Sequence, residues 1–229
     1  MLKTFYNKNL LEAGIDEAGR GPLFGRVYTA AVIIPNDETF KQPFIKDSKK
    51  LSKKKRDMAY DFIVNNAIDY SVSYKEASEI DYNNIYNATF DCMHNSLDKL
   101  IVKPDFLLVD GSEFQLYTNN DDIVPHRCFV KGDGLYASIA AASILAKVSH
   151  DKYIEEMCKK HSSLDEFYGL SSNMGYGTKI HMDGIKQYGI SPWHRKSFGP
   201  CKNIKINKIF KKIKKLKKLK KLKKIKNKE

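Results

Sequence analysis

The chain lacks the patterns that mark zinc-cysteine, disulfide-stapled or membrane proteins. Its four cysteines are scattered and form no Cys-x-x-Cys pair, which argues against a zinc site or a disulfide framework and fits a reducing compartment. Its six histidines show no His-Glu-x-x-His spacing. No apolar run reaches the roughly 18 residues of a membrane span, and residues 1–9 lack an apolar stretch of signal-peptide length. We therefore expect a soluble, cytoplasmic protein with no membrane partner.

Acidic residues are fewer than basic ones, but the imbalance lies at one end of the chain. The 229 residues include 40 basic and 27 acidic side chains, for a formal net charge of +13. Residues 201–229 alone hold 15 lysines and one glutamate, so residues 1–200 carry a net charge of about −1. The overall basicity therefore says nothing about nucleic-acid binding by residues 1–200, the body of the chain. We predict one folded domain over residues 1–200 and a mobile, Lys-rich, low-complexity tail over residues 201–229.

Two adjacent carboxylates near the N-terminus organise the rest of the pattern. Asp16 and Glu17 end a short apolar stretch, and Gly19, Arg20 and Gly21 form a turn before a second apolar run over residues 27–34. This predicts strand, tight turn, strand. Neighbouring strand residues point to opposite faces, so both acids serve one site only where the strand meets the turn. An acidic turn with ordinary glycines is the plainer interpretation of these residues.

Two further acids follow segments that end near a glycine. The apolar run 106–109 stops at Asp110-Gly111, which is typical of the carboxyl end of a central strand, although Asp-Gly is also common in turns. Asp133 stands between two glycines before an alanine-rich helix, where it could cap that helix. For Asp110, the residues alone leave a ligand site and an ordinary turn equally open. Asp133 could contribute a carboxylate to a site and cap the helix at the same time.

Six segments, in order, resemble ribonuclease HII and span about residues 10–200. They are Gly14–Pro22, the Asp-Ser-Lys-x-Leu-Ser pattern at 47–52, residues 105–111, Lys-Gly-Asp with Ala-Ala-Ser-Ile-Leu-Ala-Lys within 131–147, Gly-Tyr-Gly-Thr at 175–178 and His-Arg-x-Ser-Phe at 194–198. One departure is Asn173-Met174, where the family usually has a basic or histidine pair. A related family, ribonuclease HIII, carries Gly-Lys-Gly at the turn and an extra N-terminal domain.

The resemblance implies a fold, an activity and a set of site residues. The fold is α/β, a ribonuclease H-like mixed sheet flanked by helices, with a small C-terminal helical portion. The activity is endonucleolytic: hydrolysis of the RNA strand of RNA–DNA hybrids and cutting 5′ to single ribonucleotides in duplex DNA, leaving 5′-phosphate and 3′-hydroxyl ends. The implied catalytic residues and metal ligands are Asp16, Glu17, Asp110 and Asp133. The implied substrate-binding residues are Gly19, Arg20, Gly21, Ser48, Lys49, Tyr176, His194 and Arg195.

The four carboxylates also suggest a chemistry on physical grounds. Carboxylates that converge repel one another, and all-oxygen ligands select hard cations such as Mg²⁺ or Mn²⁺. A pair of such ions suits in-line hydrolysis of a phosphodiester. Distinguishing RNA from DNA requires contact with the 2′-hydroxyl, and Tyr176 is implied to stack near that sugar. We expect a monomer whose partners are RNA–DNA hybrids and ribonucleotide-containing duplexes.

Two other functions fit parts of the pattern. A non-catalytic nucleic-acid-binding module would be expected to lack at least one of the four carboxylates, and all four are present. Another nuclease of the ribonuclease H fold would be expected to lack the Gly-Arg-Gly and Gly-Tyr-Gly-Thr segments, and both are present.

The tail has a pattern of its own. Apolar residues recur every third position from 210 to 225, a period that drifts around a helix instead of holding one face. Docking on the body is therefore not expected. A lysine-rich compositional bias and an anionic membrane surface are alternatives, but for an enzyme acting on duplexes we favour non-specific nucleic-acid binding.

Overall fold

The computed structural model describes residues 2–40, 44–45, 48 and 51–210. The described residues divide into two compact units, one within residues 2–20 and 26–153, the other made of residues 21–25 and 154–210. Lys49 and residues 211–229 lie outside the described residues. The substrate contact of Lys49 and the mobility of the tail therefore stay predictions.

The strands of the first unit are β1 (Glu12–Ala18), β2 (Val27–Ile33), β3 (Asp69–Lys75), β4 (Phe106–Asp110), β5 (Tyr117–Asn119), β6 (Asp122–Val124) and β7 (His126–Phe129). Five of them form a mixed sheet in the spatial order β3-β2-β1-β4-β7. Strand β1 runs antiparallel to β2 and parallel to β4, β2 pairs antiparallel with β3, and β4 pairs parallel with β7. The predicted α/β class with a mixed sheet is confirmed.

Local capping signals set where the helices of this unit begin. The helices are α1 (Lys53–Asn66), α2 (Ala77–Asp98) and α3 (Ala137–Lys160), of which α3 continues into the second unit. Ser52 precedes a helical pattern and is predicted to cap a helix from about Lys53; its side chain caps α1 by accepting from the Lys55 amide at 3.4 Å. Ser78 is predicted to cap the next helix from about Glu79, but α2 begins at Ala77, because Glu76 and Glu79 form a capping box. It also kinks at Asn84, where φ is +63°.

Alternation along β1 and β4 directs their side chains to two different helices. Ala13 and Ile15 join Leu107 and Val109 in a core that includes Phe90 and its neighbours on α2. On the other side, Leu108 packs with Tyr136 and with Ile139 of α3. The centre of the sheet therefore lies between α2 and α3.

The polar sequence of residues 112–125 predicts an irregular surface loop. In the structure, β5 and β6 instead form a small antiparallel hairpin within this segment. Tyr117 and Val124 from this hairpin are buried in the α2 side of the core. The segment is therefore part of the folded unit.

The second unit contains the predicted C-terminal helical portion. Its helices are α4 (Ser163–Tyr168), α5 (Leu170–Asn173) and α6 (Lys179–Tyr188). The short stretch 21–25 belongs to this unit, because the Leu23 amide donates to the Gly175 carbonyl and the Gly25 amide to the Trp193 carbonyl, both at 2.8 Å.

The fold continues beyond the predicted boundary at residue 200. The Ile190 amide donates to the Lys205 carbonyl at 3.1 Å, and the Asn207 amide donates to the Ile190 carbonyl at 2.9 Å. Phe210 is fully buried, with its ring 6.1 Å from that of Trp193. The folded part therefore reaches at least Phe210. Within the described residues, no helix is long and apolar enough to cross a membrane.

Candidate active site

Two parallel strands bring three of the predicted carboxylates together at one edge of the sheet. The register of β1 and β4 pairs Ile15 with Val109, so Asp16 and Asp110 are the next residues on neighbouring strands. Glu17 follows at the strand end, and its amide donates to Asp16 Oδ1 at 2.6 Å. This edge is where the carboxyl ends of parallel strands meet, as the strand-end argument predicted.

Asp16 is the electrostatic centre of this group. It is only 5% exposed. Burial raises its pKa well above the usual range, and the charges of Glu17 and Asp110 raise it further. A hydrogen bond from the Ser143 hydroxyl lowers the pKa by less. Three mutually repelling carboxylates, one of them buried, form an all-oxygen donor set whose chemistry fits a divalent cation.

Glu17 contacts a neighbouring arginine, and Asp110 contacts a backbone amide. Glu17 Oε1 lies 3.4 Å from Arg20 Nη1, a pair in which the arginine is half exposed. Asp110 Oδ1 accepts from the Gly132 amide at 2.7 Å. In the part of the chain that the structure describes, no three His, Cys, Asp or Glu side chains already form a closed metal-ligand set.

The fourth predicted carboxylate lies in the turn that supports Asp110. Asp133 is 9% exposed and occupies the 3₁₀ turn Gly132–Gly134, next to the amide that binds Asp110. Lys131, at φ +59°, turns the chain into it.

A cavity of about 130 Å³ opens beside the carboxylates. Tyr86 and Glu113 were not predicted, yet both line it, and the Tyr86 hydroxyl donates to Glu113 Oε2 at 2.7 Å. The only sequence signal for Glu113 was its position three residues after Asp110. The full lining is Glu17, Arg20, Tyr86, Thr89, Phe90, Met93, Asp110, Gly111, Ser112 and Glu113.

The glycines of the Gly-Arg-Gly turn are required by close approach. Gly19 has φ +88°, and a Cβ there would lie 2.6 Å from the His150 ring and 2.9 Å from the Arg26 carbonyl. In the second unit, a Cβ on Gly21 would lie 3.3 Å from the ring of Tyr176. At both positions the space that a side chain would need is already taken by atoms of the protein itself.

Tyr176 lies in the loop between α5 and α6 and is 43% exposed. Asn173 supports this loop: its Oδ1 accepts from the Gly175 amide at 2.9 Å, and its Nδ2 donates to the Tyr168 carbonyl at 2.7 Å. Asn173 is itself buried. At the departure Asn173-Met174, the asparagine therefore supports the loop from inside, which does not suit a phosphate contact.

Three predicted substrate contacts are corrected by burial. His194 is 1% exposed and Arg195 is fully buried, with Arg195 Nε donating to the Gly25 carbonyl at 3.0 Å. Ser48 is 2% exposed, and its hydroxyl lies 3.0 Å from that of Ser143, which in turn binds Asp16. A duplex cannot reach side chains enclosed in this way. Ser48 instead supports the carboxylate site from behind, and Arg195 ties down the segment 21–25.

Comparison with known proteins agrees with this arrangement. The family model described as ribonuclease HII matches residues 13–201. This chain belongs to the ribonuclease HII family. A ribonuclease HII of Phocaeicola vulgatus is 45% identical over 198 residues, covering 86% of this chain and 94% of the relative. A ribonuclease HII of Neisseria meningitidis is 41% identical over 196 residues, covering 86% and 96%.

A solved structure gives the same assignment. The crystal structure of ribonuclease H2 from Pyrococcus horikoshii matches with a TM-score of 0.70 and 26% identity, over 89% of this chain and 99% of that one. The ribonuclease H fold is thus shared along nearly the whole described length. Ribonuclease H enzymes depend on divalent metal ions, which agrees with the carboxylate donor set.

Proposed function

We propose that this protein is a ribonuclease H that hydrolyses the RNA strand of RNA–DNA hybrids and cuts 5′ to single ribonucleotides in duplex DNA. The products are 5′-phosphate and 3′-hydroxyl ends. Membership of the ribonuclease HII family supports the activity. The observation that carries it in the structure is the buried Asp16 beside Glu17 and Asp110 at the carboxyl ends of two parallel strands.

The proposed metal site uses the carboxylates of Asp16, Glu17, Asp110 and Asp133 to hold two Mg²⁺ or Mn²⁺ ions. When bound, such ions supply Lewis-acid activation of water and stabilise the leaving oxygen of an in-line displacement. The protein's own contribution is to hold the donors in place. The Gly132 amide fixes Asp110 and the Ser143 hydroxyl fixes Asp16, so neither carboxylate has to be ordered when the substrate arrives.

The proposed recognition of the ribonucleotide uses backbone groups around Gly19-Arg20-Gly21 and the exposed ring of Tyr176. The 2′-hydroxyl is the atom that distinguishes RNA from DNA, and an aromatic face suits the neighbouring sugar. Support comes from the tight fit of Gly21 against Tyr176, where a side chain at position 21 would crowd the ring. We further propose a monomeric, cytoplasmic enzyme whose lysine tail adds non-specific affinity for nucleic acid.

The decisive experiment uses a DNA duplex that contains one ribonucleotide, beside an all-DNA duplex of the same sequence. With Mg²⁺ or Mn²⁺ we expect one cut on the 5′ side of the ribonucleotide, no cut in the all-DNA duplex, and no cut in EDTA. Asp110→Asn keeps the side-chain volume and should abolish cleavage. Asp121→Asn, in the exposed β5–β6 turn, is the matched control and should cleave normally. Cutting of both duplexes, or full activity of Asp110→Asn, would refute the assignment.

A further inference from the structure

Two buried histidines connect the Tyr176 loop to the C-terminal segment of the second unit. His181 is fully buried at the start of α6, and His194 is 1% exposed. Their Nε2 atoms lie 3.0 Å apart. His181 Nδ1 lies 3.0 Å from the carbonyl oxygen of Tyr176, and His194 Nδ1 lies 3.0 Å from the Ser191 amide. The four groups form one continuous chain of hydrogen bonds.

The ends of this chain determine where the protons lie. A carbonyl oxygen only accepts, so His181 Nδ1 must carry a proton and donate to Tyr176. A backbone amide only donates, so His194 Nδ1 is unprotonated and accepts from the Ser191 amide. The Ser191 hydroxyl lies 2.7 Å from the same nitrogen and then also acts as a donor to it. In the middle, His194 Nε2–H then donates to His181 Nε2. Both rings are therefore neutral, each in a different tautomer, and an added proton would set two N–H groups against each other.

The surroundings agree with a neutral pair. Burial lowers the pKa of both rings, and His181 lowers that of His194 further. The backbone hydrogen bonds of His181 to Tyr176 and Gly175 raise its pKa, but by less than burial lowers it. The rings facing the pair are uncharged: Phe24 packs edge-on to His194 at 5.3 Å, and Tyr168 lies 4.7 Å from His194 and 5.7 Å from His181. The Tyr168 hydroxyl donates to the Gly189 carbonyl at 2.9 Å, so it does not compete for the histidine nitrogens.

We propose that His181 and His194 are positioning residues that fix the main chain of Tyr176 through this relay, and so set the ring that contacts the ribonucleotide sugar. The inference rests on the proposed function, because Tyr176 is assigned there to the sugar. Burial keeps both histidines away from any duplex, so they act through the main chain that His181 contacts, the carbonyl of Tyr176 and the backbone of Gly175. The Thr178 amide also donates to the Tyr176 carbonyl at 2.8 Å, so the relay adds a second bond to an oxygen that is already held. The loop on either side of Tyr176 has little room to move. A Cβ on Gly175 would lie 3.0 Å from the Phe24 carbonyl oxygen, and the Thr178 side chain caps α6.

Matched amide variants separate the relay from simple packing. At position 181, Asn keeps a donor near Nδ1, whereas Gln places its amide near Nε2 and loses the bond to Tyr176. At position 194 the order reverses, because Gln keeps the Nε2 donor and Asn loses it. The structure assigns His181→Asn and His194→Gln as the conservative pair. It assigns His181→Gln and His194→Asn as the disruptive pair.

The readout is kcat/KM for cleavage at a lone ribonucleotide and for cleavage of a long RNA–DNA hybrid. We expect the disruptive variants to lose about tenfold or more at the lone ribonucleotide, since small misplacements of a binding group cost this much. The loss on the long hybrid, which offers many registers, should be smaller. The conservative variants should restore most of the activity. Equal losses for all four variants, or equal losses on both substrates, would overturn the proposal.

A double-variant cycle tests whether the effect passes through Tyr176. In a Tyr176→Ala background, His181→Gln should cause little further loss at the lone ribonucleotide. A loss as large as in the wild-type background would overturn the proposal.

Nitrogen-15 NMR of histidine in the wild-type protein tests the relay without any substrate. It should show an Nδ1–H tautomer for His181 and an Nε2–H tautomer for His194 at neutral pH. A charged ring or the reversed tautomers would overturn the proposal even if every variant failed to fold. If the wild type cleaves neither substrate, the proposed function fails, and the NMR result still decides the relay.

Discussion

At the scale of single residues, the Asp16 carboxylate lowers the stability of the metal-free protein, although the proposed activity depends on it. Its carboxylate is buried beside two other acids, so the metal-free protein bears an unfavourable charge that the proposed metal site requires. We expect Asp16→Asn to abolish cleavage while raising the free energy of unfolding of the metal-free protein at pH 8 by on the order of 1 kcal/mol. Asparagine keeps the oxygen that accepts from the Glu17 amide and removes the repulsion.

Thermal unfolding in EDTA and in excess Mg²⁺ measures this effect. The wild-type protein should gain stability from Mg²⁺ by mass action, and Asp16→Asn should gain much less. Asp121→Asn serves as the control and should behave as wild type in both conditions. A lower melting temperature of Asp16→Asn in EDTA would show that the carboxylate is not strained in the metal-free state.

The buried histidine pair gives a prediction for acid stability. Both rings have lowered pKa values because burial disfavours the charged form. In the unfolded chain a histidine takes up a proton near pH 6.5, so below that pH the unfolded state binds more protons than the folded state. The free energy of unfolding should therefore fall as the pH drops below about 6.5, by up to about 1.4 kcal/mol per pH unit for each histidine.

Urea denaturation between pH 5 and 8 measures this slope. The double variant His181→Asn with His194→Gln carries no ionisable ring at either position, so its slope should be shallower than that of the wild type. His126→Gln, at the partly exposed start of β7, is the control and should keep most of the slope. An unchanged slope in the double variant would mean that other groups cause the acid sensitivity.

At the scale of elements, the backbones of β1 and α3 approach each other closely at Gly14. A Cβ on Gly14 would lie 2.2 Å from the Ser138 carbonyl carbon and 2.4 Å from the Ile139 nitrogen, both backbone atoms that cannot turn aside. Gly14→Ala must therefore push the strand from the helix. We expect a loss of at least about 3 kcal/mol in the free energy of unfolding. Because Asp16 is two residues further along β1, activity should fall as well.

Gly199→Ala is the matched control for this change. A Cβ at Gly199 would meet no atom within 4 Å, so the stability of that variant should stay near the wild-type value. Chemical denaturation of both variants gives the comparison. If Gly14→Ala were as stable as Gly199→Ala, the close approach of strand and helix would not be a constraint on the fold.

The elements also show how far the sequence alone could go. Local signals predicted what local physics decides: the Ser52 cap and the strand ends that carry Asp16 and Asp110. The short helices α4 and α5 and the kink at Asn84 had no periodic pattern to indicate them. The close packing of Gly14 and the burial of Ser48 and His194 depend on elements distant in sequence. Polar residues near a motif were therefore assigned to the substrate when tertiary packing had enclosed them.

At the scale of the whole molecule, the boundary between body and tail matters most for experiment. Deleting residues 203–229 would remove the contacts of Lys205 and Asn207 with Ile190, together with the buried ring of Phe210. Such a truncation would damage the second unit and could not report on the lysines alone. Ending the chain after Phe210 keeps those contacts and still removes 12 lysines and one glutamate.

We expect the protein that ends at Phe210 to bind duplexes more weakly and with a flatter dependence on salt. Each phosphate that a lysine neutralises contributes about −0.9 to the slope of log affinity against log salt concentration. The rate at saturating substrate should stay unchanged, since every proposed metal ligand and substrate contact lies before residue 200. Fluorescence anisotropy over a salt series, with single-turnover cleavage in parallel, measures both quantities.

Two comparisons separate the effect of the tail's charge from that of its length, and duplex binding from lipid binding. A full-length variant with the tail lysines 211–228 changed to glutamine keeps the length and removes the charge, so it should match the truncated protein if charge is the cause. Binding to anionic lipid vesicles tests the alternative of a membrane-surface segment, which shares the same basic composition. Unchanged duplex affinity and salt slope after truncation would rule out the nucleic-acid role. If vesicle binding alone were lost, the tail would instead act at a lipid surface, because only that interaction would then depend on its charge.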